Sequence, residues 1–141
     1  MRRRHSAAGF TFLELLLVVS LMGIMLVLGY NSWRGHTAQQ RLKYGIVQVA
    51  TDLRQAQERA KEARVQYTVT FAIASSAYVI AGTGFTENAS LPSGVTVTAN
   101  QVVTFSAFGQ PDAAHTITVQ NSTGSGTASV NTTGGITYQT P

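Results

Sequence analysis

The sequence predicts an α+β fold in which a long N-terminal helix, its first half transmembrane, packs through its second half on a small antiparallel β-sheet or sandwich head. Three observations carry this expectation. A short basic segment gives way abruptly to an apolar run from Phe10 to Tyr30, an apolar stripe at helical spacing continues to about residue 66, and at Tyr67 the apolar period drops from 3.6 to 2.

The first nine residues, MRRRHSAAG, are basic and end at Gly9. The run that follows, residues 10–30, would extend about 30 Å as an α-helix, the thickness of a bilayer's hydrocarbon core. Arg2, Arg3 and Arg4 precede it and only Arg34 stands close behind it, so the positive-inside rule places the N-terminus in the cytoplasm and the rest of the chain outside. An ordinary secretory signal has a shorter apolar region and a small-residue cleavage site after it, whereas this run ends GYNSWRGH. Tyr30 and Trp33 fall where an interfacial aromatic belt would anchor the span.

From Thr37 to Gln66 the chain is amphipathic: Leu42, Ile46, Val49, Leu53, Ala56, Ala60 and Ala63 follow one another at alternating spacings of four and three. The stripe begins with large side chains and ends with alanines, which predicts close packing at its C-terminal half. No proline interrupts the stretch, so one rod from about Phe10 to Gln66 is expected, with Gly23, Gly29, Gly35 and Gly45 as its weak points. The resulting divisions are a leader at 1–9, a membrane or filament-core helix at 10–33, an amphipathic helix at 34–66 and a β-rich head at 67–141.

In the head, Tyr67, Val69, Phe71 and Ile73 alternate with smaller or polar residues and predict a strand. AYVIAG, VTVTA, QVVTFSAF, HTITVQ, TASVN and ITYQ supply the others, six or seven in all, separated by Ser75-Ser76, Leu91-Pro92-Ser93-Gly94, Gly109-Gln110-Pro111-Asp112, a loop at 122–126 and Thr133-Gly134-Gly135.

Charge narrows the function. The formal net charge is +4, but without residues 1–9 seven basic side chains face six acids, and from Val65 onward there is neither Lys nor Arg. A polyanion needs clustered cations, so this distribution disfavours nucleic acid. The seven bases of residues 34–64 are interrupted by Asp52, Glu58 and Glu62, and Arg54–Glu58 has helical pairing spacing, which predicts a solvated, partly ion-paired face. With no cysteine, neither a disulfide nor a thiolate metal site can form. Catalysis finds no support: His36 and His115 are isolated, Asp112 and His115 read as turn and strand-edge residues, and Ser122–Gly126 lacks the Gly-Lys-Ser/Thr ending of a phosphate loop. No catalytic residue, metal or cofactor is expected.

Glu14 is the one ionisable residue in the apolar run. A carboxylate at mid-membrane costs roughly 2.5–3.5 kcal/mol on insertion scales, and such a group usually has a partner. Cleavage after Gly9 would create an amine on Phe10, four positions from Glu14 and on the same face of a continuous helix.

Gly9-Phe10-Thr11-Phe12-Leu13-Glu14 followed by an apolar run resembles the class III signal of type IV pilins and type II secretion pseudopilins. The order LPSGVTV, VVTFSAFGQP, HTITVQ and GGITY is similar to the head of GspH/FimT-type minor pseudopilins. The first resemblance implies that a prepilin peptidase cuts between Gly9 and Phe10 and N-methylates Phe10, and that Glu14 neutralises a neighbouring subunit's N-terminal amine during assembly. It further implies an inner-membrane precursor bound to lipid and to an assembly platform, then a periplasmic or cell-surface filament of pilin or pseudopilin subunits. Gly23 stands where many members carry a helix-loosening glycine, whereas Asn31 replaces a frequent proline. The expectation is thus a structural filament subunit; the alternative is a pilus-tip DNA-binding or adhesive subunit. FimT-like members have been linked to DNA through basic residues late in the head, and this sequence has none there.

Overall fold

A computed structural model describes residues 10–141, the side chains of residues 28–34 excepted. The expected leader with Gly9 lies outside the described residues, and the side chains of the expected anchors Tyr30 and Trp33 are not described. The architecture is α+β: one helix, α1 (Phe12–Ala63), followed by eight strands. By its contacts the chain divides into two compact units, the first ending at Gly35 and the second covering His36–Pro141.

In the first unit, α1 passes through Gly23, where a Cβ would meet no neighbouring atom. Every large apolar side chain described there, from Phe12 to Val27, is exposed. Among the described residues no helix is long and apolar enough to cross a membrane. The described apolar stretch, 12–27, is shorter than the roughly 20 residues a hydrocarbon core requires, and the expected span continues into side chains that are not described.

The second unit is built from β1 (Tyr67–Phe71), β2 (Ala77–Gly82), β3 (Phe85–Ser90), β4 (Thr96–Val97), β5 (Gln101–Phe105), β6 (His115–Asn121), β7 (Gly124–Val130) and β8 (Ile136–Gln139). They form two antiparallel four-stranded sheets, ordered β3-β2-β1-β5 and β4-β6-β7-β8. The change of period at Tyr67 marks the start of β1, whose Tyr67, Val69 and Phe71 point inward. The helical stripe completes the core: Leu42, Ile46, Val49, Leu53, Ala56 and Ala60 are fully buried, in one cluster with Phe71, Tyr78 and Ile80, with Val103 and Phe105, and with Ile117, Val119 and Val130. Burying a large aliphatic side chain stabilises by about 1.5–3 kcal/mol, so this seam is the main source of the unit's stability.

Several local expectations are corrected. The stripe stops at Ala60, and Ala63 is exposed because α1 ends there and Arg64 turns the chain with a left-handed backbone, φ 52°. Gly45 is a packing position, since a Cβ there would stand 3.3 Å from Val95 Cγ1. A strand not read from the sequence, β3, pairs with β2 from Ala77↔Ser90 to Gly82↔Phe85. The supposed loop at 122–126 is a tight turn at Ser122-Thr123: Asn121 pairs with Gly124 and the strand resumes at once. Gly126 lies within β7 because a Cβ there would overlap Ile46 Cδ1 and stand 2.9 Å from the Gln139 carbonyl oxygen, so α1 presses directly on the backbone.

Candidate functional site

The described part of the processing segment begins at Phe10, which is 80% exposed and precedes the helix. Thr11 is the N-cap. Its side-chain Oγ1 accepts from the Glu14 N–H at 3.3 Å, and its carbonyl accepts from the N–H groups of Glu14 (3.1 Å) and Leu15 (3.2 Å). Satisfying an orphan donor in this way contributes about 1 kcal/mol to a helix end. Thr11-Phe12-Leu13-Glu14 is the T-x-x-E pattern of a capping box, a signal present in the sequence that the reading of Glu14 alone passed over.

The cap changes one expectation. Because α1 starts at Phe12, Phe10 is not on a helical face with Glu14 one turn later; it lies outside the helix. Glu14 sits in the first turn, where the helix dipole favours a negative charge. Beyond it, Ser20 turns its hydroxyl back onto the carbonyls of Leu16 and Leu17, both at 2.9 Å. A helix apolar on all sides is ordinarily a buried or membrane element, and among the described residues nothing covers this one.

Elsewhere, polar side chains of α1 tie the second unit together. Tyr78, buried in β2, donates its hydroxyl to Asp52 and accepts from Gln48 Nε2 at 3.3 Å, while Gln48 Nε2 also donates to the Ser90 carbonyl at 3.0 Å. Burial, and next the hydrogen bond to the Asp52 carboxylate, push the Tyr78 phenol well above its ordinary range. Gln57 Nε2 donates to the carbonyls of Gly109 (2.8 Å) and Gly134 (3.0 Å), and Asn121 Nδ2 donates to the Ala38 carbonyl at 2.6 Å.

Arg54, Arg59 and Lys61 of α1 are engaged as well. Arg54 does not pair with Glu58, as its spacing suggested; it donates to the Ile136 carbonyl at 3.0 Å, and Glu58 takes Lys61 at 2.9 Å. Arg59 bridges to Glu87 at 2.8 Å and lies 4.4 Å from the Phe85 ring centroid, pinning β3 to the helix.

Asp112 and His115 are brought together. His115 Nε2 is 2.9 Å from Asp112 Oδ1, and Nδ1 is 3.3 Å from Gln101 Oε1. Desolvation opposes the Asp112 carboxylate, but the Thr104 N–H and the His115 side chain outweigh it and hold its pKa below the ordinary carboxylate value. The two contacts make His115 a clamp between β5, β6 and their connection. Among the described residues no group of three or more His, Asp or Glu is placed to hold a metal ion. An open groove of about 470 Å³ at the end of α1 is lined by Arg64, Gln66, Thr104, Ser106, Gln110 and Asp112, and a neighbouring one by Lys61, Arg64, Ala107 and Phe108.

Comparison with known proteins agrees with the N-terminal segment. Residues 4–30 match the family model for the prokaryotic N-terminal methylation motif. No curated protein and no solved structure matches the chain. Of everything described, it is the segment around Phe10, Thr11 and Glu14 that has a recognised counterpart: the chain carries the methylation motif of a type IV pilin-like leader.

Proposed function

We propose that the chain is a minor pilin or pseudopilin of GspH/FimT type, a structural subunit of a type II secretion or type IV pilus filament. The observation that carries this reading is the methylation motif over residues 4–30, joined to an apolar helix whose described side chains find no cover within the chain. A prepilin peptidase cuts between Gly9 and Phe10 and methylates the new amine. The precursor waits as a single-pass inner-membrane protein with its head outside the cytoplasm, and the assembly platform then draws it from lipid into a filament with other pilin or pseudopilin subunits. Glu14 neutralises the Phe10 amine of a neighbour, which sets register while apolar burial drives association. Heterologous packing of one repeated surface yields an open helix, so a single apolar segment per subunit is enough.

No enzymatic role is proposed, and a DNA-binding tip role is disfavoured by the absence of any Lys or Arg beyond Arg64. Intact-mass measurement of the chain from its native host tests the processing step. The expected species starts at Phe10 and carries one added methyl group, while Gly9→Val retains the leader. A mature chain that still begins at Met1 would refute the reading.

A further inference from the structure

Between Glu14 and Asp52 the sequence holds no acid, and its bases there are Arg34, Arg41 and Lys43. The second unit begins at His36, six positions after Tyr30 closes the apolar run. Within that unit Arg41 and Lys43 are exposed, and neither has a hydrogen bond or ion pair among the described residues. The acids of the unit are engaged or distant: Asp52 holds Tyr78, Glu58 holds Lys61, Glu87 holds Arg59 and Asp112 holds His115. Glu62 stands about 28 Å beyond Lys43 along the axis, at 1.5 Å per residue. What packs beside this end of the helix is neutral, since Asn121 donates to the Ala38 carbonyl and Leu91, Pro92 and Val95 stand against Gly45.

Arg41 and Lys43 are two positions apart on a 3.6-residue period, so they stand on nearly opposite sides of the helix. A single protein face does not meet both, whereas a charged layer that surrounds the helix does. Lys43 lies about 10 Å beyond His36 along the axis, and helical side chains lean back toward the N-terminus. Both charges therefore fall within one Debye length, about 8 Å at physiological salt, of the level of His36.

We propose that Arg41 and Lys43 seat the N-terminal end of the head on anionic lipid headgroups, at the outer surface of the membrane in which the precursor waits. The proposal rests on the filament reading, which puts the apolar run in that membrane, and deepens it by naming the lipid class that the head touches. Two cations hold a free protein on a surface only weakly, but a chain already anchored a few residues away meets the headgroups at high effective concentration. The contact is screened by salt and reversible, so it keeps the head of the waiting subunit at the surface without opposing withdrawal into a filament.

Because the sequence contains no cysteine, a dye can be placed at one site. The full-length Gln40→Cys chain, labelled at this exposed position with an environment-sensitive fluorophore, is reconstituted in nanodiscs of phosphatidylcholine alone or mixed with phosphatidylglycerol. Emission should lie farther to the blue in the anionic discs than in the neutral ones, and high salt should remove the difference. Arg41→Gln/Lys43→Gln should lower the ratio of docked to free heads about tenfold, and Lys61→Gln, at the other end of α1, should leave it unchanged. Arg41 and Lys43 are exposed, so the double variant keeps the core. Equal emission in both discs, or a difference that survives the double variant or is removed as well by Lys61→Gln, overturns the lipid contact and leaves the filament reading intact. Duplex DNA that binds the detergent-solubilised chain through Arg41 and Lys43, with no effect of disc composition, also overturns it and assigns the two cations to nucleic acid. A chain that inserts into neither disc overturns both the contact and the membrane reading beneath it.

Discussion

Two stretches of the same helix meet opposite fates. Between Leu42 and Ala60 the apolar stripe is fully buried against two sheets of its own chain, whereas between Phe12 and Val27 every large apolar side chain is exposed. The first stretch is amphipathic and its problem is solved within the fold. The second is apolar on all sides, so one sheet could not cover it, and in the proposed reading its burial comes from lipid or from other subunits. The difference separates residues that determine whether the head folds from residues that determine whether the subunit assembles.

Exchanging truncations between the two stretches gives the largest contrast. Leu53→Ala opens a cavity in the seam between α1 and the sheets and should cost about 2–5 kcal/mol, read as a lowered denaturation midpoint of the full chain in detergent. Leu16→Ala should leave that midpoint within about 0.5 kcal/mol and reduce assembly instead. Equal losses of stability from both would break the comparison.

Overpacking probes the same seam from the sheet side. Gly126→Val drives a side chain into Ile46 Cδ1 and the β8 backbone, and should destabilise by about 1–3 kcal/mol, measured by denaturant unfolding. The Tyr78–Asp52 contact gives a pH signature. The folded-state pKa of Tyr78 is raised, so the associated stability is fully present below the unfolded value near 10 and is lost as pH rises above it. Stability measured against pH should fall on the alkaline side, and Tyr78→Phe should flatten that limb. The smallest expected effect is a gain: Arg64→Gly removes a side chain from a left-handed position and should stabilise by about 1 kcal/mol.

What was legible in the sequence follows the same division. The stripe from Leu42 to Ala60 and the change of period at Tyr67 were readable because burial imposes one residue type at each step. The strand β3 was not, because Phe85-Thr86-Glu87-Asn88-Ala89-Ser90 is almost wholly exposed and is held by Arg59 from a distant part of the chain, which no local pattern records. The turn after Asn121 looked long because Gly124 and Gly126 read as loop residues, although Gly126 is there to admit Ile46. Arg54 has helical spacing to Glu58 but finds a carbonyl across the fold, a tertiary partner overriding a local one. At the N-terminus, Glu14 was legible because a lone carboxylate in an apolar run is conspicuous, whereas the Thr11 cap needed the helix start to be fixed first.

The central claim is that Glu14 acts in assembly and not in folding or processing. Sedimentation of sheared filaments from cells producing Glu14→Ala, with the intact mass of the same chain, tests it most directly. The account predicts a chain that begins at Phe10, carries its methyl group and is absent from the filament fraction. A Glu14→Ala chain that enters filaments at the wild-type level would contradict it.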